Sequence, residues 1–193
     1  MRIGLYPGSF NPVHTGHMVI AGYMAEFAGL DEVWMVVSPR NPLKLTHDML
    51  QDYHRLELVK LAVGDYQRIR ASDVEFKLTK PSYTINTLQY LKEKFPADEF
   101  ALIVGEDNLA TFDKWKDHEE ILKLCMVYVY PRLNAEKTKF HVHPKIKLVK
   151  EVPVMEISAT FIRESIQHKK DIRYMLPEAV WKSIEENGFY MQS

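Results

Sequence analysis

Ten consecutive residues, Gly8-Ser9-Phe10-Asn11-Pro12-Val13-His14-Thr15-Gly16-His17, concentrate groups suited to handling phosphate. They lie between a short apolar strand pattern and a helical one. Amides of such a turn, with the positive end of the following helix, aim several N–H donors at one spot and so favour an anion. His14 and His17 are three residues apart, which puts both imidazoles on one helix face. A phosphate above the helix start would meet both rings, and Gly16 between them lets a bulky ligand approach the backbone. The same pair could ligate a metal, but no third ligand of the right kind is close by.

A second set is Ile157-Ser158-Ala159-Thr160-Phe161-Ile162-Arg163. Ser158 is a good helix N-cap, with Phe161 and Ile162 turned inward behind it. Thr160 falls in the first turn and Arg163 one turn further on. This is either a second anion site or an ordinary capped helix with a surface arginine; two such sites on one sheet edge suit a polyphosphate nucleotide. Between them lie Pro81-Ser82-Tyr83-Thr84 at a helix start, Gly105-Glu106-Asp107 after a strand, and Phe112-Asp113-Lys114-Trp115. Trp115 stands in a polar neighbourhood, where it either stacks on a flat aromatic ligand or packs half-buried. The stretch Pro131–Lys147 sets Arg132 and four lysines against Glu136 alone, as a solvated loop or as a cover for phosphate. His141 and His143 read as surface positions, and Cys125 as a small buried hydrophobe.

The elements that must position these groups follow from periodicity. Strand patterns run over Arg2–Tyr6, Val33–Ser38, Arg68–Glu75, Glu99–Val104, Met126–Tyr130, Ile146–Val149 and Val154–Ile157. Helical patterns cover Thr15–Gly29, Asp52–Val63, Thr84–Phe95, His118–Leu124, Phe161–Gln167 and Glu178–Glu186. This alternation predicts an α/β fold with a mostly parallel sheet, whose ligands sit beyond the carboxyl ends of the strands. With 193 residues, 46% hydrophobic and 26% charged, the chain can bury one sizeable core. A net charge of −1 gives no whole-molecule attraction to nucleic acid or acidic membranes. The longest apolar run, Leu124–Tyr130, is far shorter than the roughly 20 residues of a spanning helix. One cysteine cannot form an internal disulfide, and the N-terminal residues lack a signal-peptide core, so a cytoplasmic location is expected.

The first string resembles the phosphate-binding signature of the nucleotidyltransferase superfamily, Gly-x-Phe-Asp-Pro-x-His-x-Gly-His. It departs from it at Asn11, where Asp is usual, and at Pro7, where a second glycine is frequent. The second set is similar to the superfamily's Ile-Ser-Ser/Thr-x-x-Ile-Arg motif, with Ala159 at the second serine. Ser-Tyr-Thr, Gly-x-Asp and Phe-x-x-Trp occur in this order in bacterial nicotinate-nucleotide adenylyltransferases. That resemblance extends over nearly the whole chain, including Asn41-Pro42-Leu43-Lys44 and Leu176-Pro177-Glu178-Ala179-Val180.

The resemblance implies a Rossmann-like, doubly wound sheet with helices on both faces. It implies a single domain spanning 1–193, with the C-terminal helices from about residue 158 packing on the sheet edge. The implied activity is transfer of the adenylyl group of ATP to nicotinate mononucleotide, by in-line attack without a covalent enzyme intermediate. His14, His17 and Arg163 would be catalytic. Gly8, Ser9, Phe10, Gly105, Asp107, Ile157 and Ser158 would join His17 and Arg163 around ATP. Lys44, Tyr83, Thr84 and Trp115 would contact the nicotinate nucleotide, with Asn11 and Arg132 as further candidates. Mg²⁺ would be held by substrate and water, without dedicated protein ligands. The partners implied are small molecules, neither nucleic acid nor membrane, and a homo-oligomer stays open. Pantetheine-phosphate adenylyltransferases and cytidylyltransferases share the first motif, and a non-catalytic nucleotide sensor is the alternative from another class.

Overall fold

The computed structural model describes residues 1–39 and 49–191. Its strands are β1 (Arg2–Gly8), β2 (Glu32–Val37), β3 (Ile69–Ser72), β4 (Glu99–Gly105), β5 (Met126–Tyr130) and β6 (Ile146–Leu148). They form one parallel sheet in the order β3-β2-β1-β4-β5-β6. The helices are α1 (Thr15–Phe27), α2 (Asp52–Val63), α3 (Thr84–Lys94), α4 (His118–Leu124), α5 (Ala159–Gln167) and α6 (Glu178–Asn187). Among the described residues no helix is long and apolar enough to cross a membrane.

Helices cover both faces of this Rossmann-like sheet, which is why its strands read as continuous apolar runs rather than as alternation. Tyr6, Met35, Ile103 and Tyr128 face a core built with α1, α2, α5 and α6. Ile3, Leu5, Trp34, Leu102 and Val127 face a second core built with α3, α4 and Phe112. Of the C-terminal helices, α6 packs on α2, and Ile162, Ile166, Val180, Trp181 and Ile184 share the core of α1 and α2.

The chain winds outward from β1 through β2 to β3, then returns to β4 beside β1 and winds the other way. That reversal makes β1 and β4 the switch point, where open α/β sheets bind ligands. Pairing of β1 with β4 stops at Leu5↔Leu102, whereas β1 and β2 stay paired to Gly8↔Val37. The carboxyl ends of β1 and β4 therefore part, and a crevice opens between Gly8 and Gly105.

Two predicted strands differ. The Arg68–Glu75 pattern is laddered only over Ile69–Ser72, because a 3₁₀ turn at Val74–Lys77 tucks Val74 and Glu75 inward. Val154–Ile157 has no ladder partner. β6 is the sheet edge and α5 packs near α1, so this segment crosses the end of the sheet to bring Ile157 against Gly16. Cys125 is buried as expected, its thiol pushed up to about 12 by desolvation and facing the Ile121 carbonyl.

Candidate active site

His14 is the N-cap of α1, with extended backbone at φ −142° and ψ 170°. The His14 and His17 rings stack, centroids 3.6 Å apart. The His14 amide donates to His17 Nδ1 at 3.2 Å, so the proton of neutral His17 sits on Nε2. Burial, reinforced by Arg132, holds His14 down to about 4. Burial, then His14 and Arg132, also keep His17 well below the ordinary histidine value. Both rings are thus neutral at pH 7, each carrying one N–H rather than a positive charge.

Phe10 packs edge-on against His17, centroids 5.0 Å apart, and against Tyr6. It is 1% exposed with φ 45°, so its side chain is a wall beneath the histidines. Only its backbone is left for the nucleotide contact expected of it. A Cβ on Gly16 would lie 3.1 Å from His14 Nδ1 and 3.8 Å from Ile157 Cβ. Glycine there admits the His14 ring and Ile157, and not a ligand as the spacing suggested.

The second segment meets the first at this point. Ser158 caps α5, its Oγ accepting from the Phe161 amide at 3.1 Å. Arg163 Nη1 donates to the Asn11 carbonyl at 2.9 Å, across 152 residues of chain, and Nη2 to Thr160 Oγ1. Asn11 faces inward: its Oδ1 accepts from the Leu50 amide at 3.1 Å and from the Tyr190 hydroxyl at 2.8 Å. The residue that departs from the family pattern therefore braces the loop, a role that an acceptor oxygen can fill.

Arg132 enters from beyond β5. Its guanidinium lies over the Tyr130 ring, and its Nε is 3.7 Å from Asp107 Oδ1. Gly105 makes room for both, since a Cβ there would collide with the Asp107 carboxylate and lie 3.2 Å from Arg132 Nε. Glu106 accepts from the Arg132 amide and contacts His141 Nε2 at 3.0 Å. His141 is accordingly not the surface residue expected from its alternation; it braces this turn.

Among the described residues, three buried side-chain polar atoms lack a hydrogen-bond partner: His14 Nδ1, Arg132 Nε and Arg163 Nε. All three are nitrogens of basic side chains, and all three belong to this site. An unpaired buried polar group costs about 1–3 kcal/mol. His14 and Arg163 come together at one turn, which Arg163 reaches through the Asn11 carbonyl, so basic side chains from distant segments meet beyond the end of β1. No group of three or more His, Cys, Asp or Glu among the described residues could hold a metal ion.

Next to Gly8 opens a cavity of about 300 Å³, lined by Ser38, Glu75, Ser82, Thr84 and Trp115 among others. Trp115 is half-buried against Phe112, centroids 5.3 Å apart. Helix geometry leaves the amides of Thr84 and Ile85 without an intrahelical partner. Tyr83 is the N-cap of α3, but its ring lies outside the cavity lining, 41% exposed beneath the Lys116 ammonium. Lys44 lies outside the described residues.

A cytidylyltransferase-like family model matches residues 5–165. The chain is 54% identical over 192 residues to a probable nicotinate-nucleotide adenylyltransferase of Flavobacterium psychrophilum, covering 98% of this chain and 99% of that protein. A probable nicotinate-nucleotide adenylyltransferase of Bacteroides fragilis is 48% identical over 183 residues, 95% of this chain and 90% of that one. The chain belongs to the nicotinate-nucleotide adenylyltransferase family. It is a nucleotidyltransferase. Its fold is shared with the solved Plasmodium falciparum nicotinic acid mononucleotide adenylyltransferase complexed with NaAD, at a TM-score of 0.79 and 20% identity, covering 98% of this chain and 97% of that one.

In this adenylyltransferase-family chain, two site residues had no local signature. Arg55 is fully buried and donates to the carbonyls of Ser9 and Leu50 and to Asp52, propping the loop between β1 and α1 from below. In sequence it is one more helix arginine, with Asp52 at i−3 as the only hint. Glu75 lines the cavity at 5% exposure, accepting from Ser82 Oγ at 2.9 Å and Thr87 Oγ1 at 3.3 Å. Desolvation raises its pKa, while these hydroxyls and Ser38 oppose the rise. Nothing in the pattern Arg68–Glu75 marked it as different from a strand-end acid.

Proposed function

We propose that this nucleotidyltransferase transfers the adenylyl group of ATP to nicotinate mononucleotide, yielding nicotinate adenine dinucleotide and pyrophosphate. The observation that carries the reading is the meeting of Arg163, across 152 residues of chain, with the turn that holds the stacked His14 and His17.

The acceptor's phosphate oxygen attacks the α-phosphorus of ATP as the bond to the bridging oxygen breaks and pyrophosphate leaves in line. The attacking oxygen is already anionic, so no protein nucleophile or general base is needed, and the protein contributes alignment and charge stabilisation. His14 and His17 donate neutral N–H groups to the phosphates as charge shifts towards the leaving group. Arg163, moored on Asn11, holds the departing β,γ-phosphates together with the Ser158 hydroxyl and the α5 start at Ile157–Ser158. Backbone groups of Gly8, Ser9 and Phe10 line the phosphate path. Gly105 and Asp107, with Arg132, border the nucleotide on the β4 side. Mg²⁺, when bound, would be held by the triphosphate and water and would supply further charge neutralisation there.

The nicotinate ring lies on Trp115 in the cavity beside Gly8, its carboxylate towards the amides at the start of α3 near Tyr83 and Thr84. A helix N-terminus favours a carboxylate, whereas a carboxamide would turn its own donors towards donors. The test is pyrophosphate release from ATP with nicotinate mononucleotide, nicotinamide mononucleotide, 4′-phosphopantetheine or no acceptor. Release with the first, weaker release with the second and none with the others is the expected pattern. Equal efficiency with the first two would overturn the carboxylate site, and release only with 4′-phosphopantetheine would overturn the acceptor.

A further inference from the structure

The C-terminal segment reaches the phosphate loop, and nothing in the reaction above assigns it a part. Gly188, in the left-handed region at φ 65°, ends α6 and turns the chain inward. Phe189 then packs against His54 of α2, ring centroids 4.8 Å apart. Tyr190, itself held at φ 64°, is 9% exposed and sends its hydroxyl to Asn11 Oδ1 at 2.8 Å, across 179 residues. The Leu50 amide donates to the same oxygen, which identifies it as the carbonyl end of the side chain. Asn11 in turn offers its backbone carbonyl to Arg163 Nη1 at 2.9 Å. Arg163 and Arg55 are both close enough to Tyr190 to act on its hydroxyl electrostatically.

From this chain of contacts we infer that Tyr190 is a positioning residue for the triphosphate end of the site. The hydroxyl pins the Asn11 side chain, the pinned residue holds its carbonyl still, and that carbonyl aims the Arg163 guanidinium. Arg163 is the only one of the three that touches ligand. The inference rests on the reading that Arg163 binds the β,γ-phosphates of ATP, and it adds a determinant of ATP affinity at the far end of the chain.

The experiment uses the full chain with Tyr190→Phe, which fills the same volume and removes only the hydroxyl. ATP affinity is measured by calorimetry without acceptor, and KM for ATP and for nicotinate mononucleotide by pyrophosphate release. We expect ATP Kd and KM to rise roughly fivefold to tenfold, the effect of one lost hydrogen bond to a buried acceptor, with acceptor KM within about twofold of the parent. Arg163→Lys is combined with Tyr190→Phe, and the double variant is expected to bind ATP no more weakly than Arg163→Lys alone, because both act through one contact. An unchanged ATP Kd in Tyr190→Phe overturns the inference, as does an additive double variant or a loss confined to thermal stability. Parent protein that binds ATP but turns over no nicotinate mononucleotide overturns the proposed reaction instead, and the calorimetric comparison still decides the role of Tyr190.

Discussion

Acidification should unfold this protein through its own active site. His14 is held at about 4 in the folded chain against an ordinary value of 6.5. The unfolded chain therefore takes up a proton as pH falls below 6.5, while the folded chain resists until about 4. The stability that His14 contributes is complete above pH 6.5 and is lost progressively down to the folded value. At 1.36 kcal/mol per unit, the loss is about 2 kcal/mol at pH 5 and about 3 kcal/mol at pH 4. His17, lowered for the same reason, acts in the same direction. For a chain of this length 2 kcal/mol corresponds to about 4–8 °C in Tm. The assay is thermal denaturation at pH 7.5 and pH 5 for the parent and His14→Gln, which keeps a polar side chain but does not titrate. The parent should lose about 4–8 °C more than His14→Gln over that interval. Saturating ATP should shrink the difference, because added phosphate charge raises both imidazoles. Equal losses in parent and variant would show that His14 is not held neutral, and the account of neutral donors would fail with it.

Three further outcomes follow from the same geometry. His17→Ala should lower the rate of pyrophosphate release by on the order of 10²–10³, as measured by single-turnover quench, and a full-rate variant would remove His17 from the reaction. It should also lose some stability, since the His14 amide loses its acceptor. Trp115→Ala should raise acceptor KM by about tenfold or more while leaving ATP KM near the parent value, by analogy with aromatic stacking on bases; parallel rises in both would show a packing role only. Glu75→Ala strands the hydroxyls of Ser82 and Thr87 and should cost about 2 kcal/mol, read as a fall of about 4–8 °C in Tm, with Glu75→Gln in between. An unshifted Tm would mean that the buried carboxylate does not organise the cavity wall.

Much of the architecture was legible because it is encoded locally. Strand and helix periods survive in short windows. The His14–His17 spacing guarantees a shared face once α1 forms, and Ser158 marks a helix start through its own side-chain oxygen. Even so, Val154–Ile157 has the apolar pattern of a strand and makes no ladder, since whether a segment pairs depends on which strand lies beside it. The tertiary structure alone decided the chemical state of the site. The imidazoles are neutral because folding buries them, with Phe10 against His17, and sets the Arg132 charge near both, and those two residues come from distant stretches of chain. Asn11 faces inward because Leu50 and Tyr190 reach it, and Arg55 and Glu75 became site residues only when buried beside Ser9 and Ser82. Periodicity and capping act between near neighbours and so can be read from a string of residues. Desolvation and hydrogen-bond partnership are set by groups dozens to nearly two hundred positions away, and those exist as neighbours only once the chain has folded.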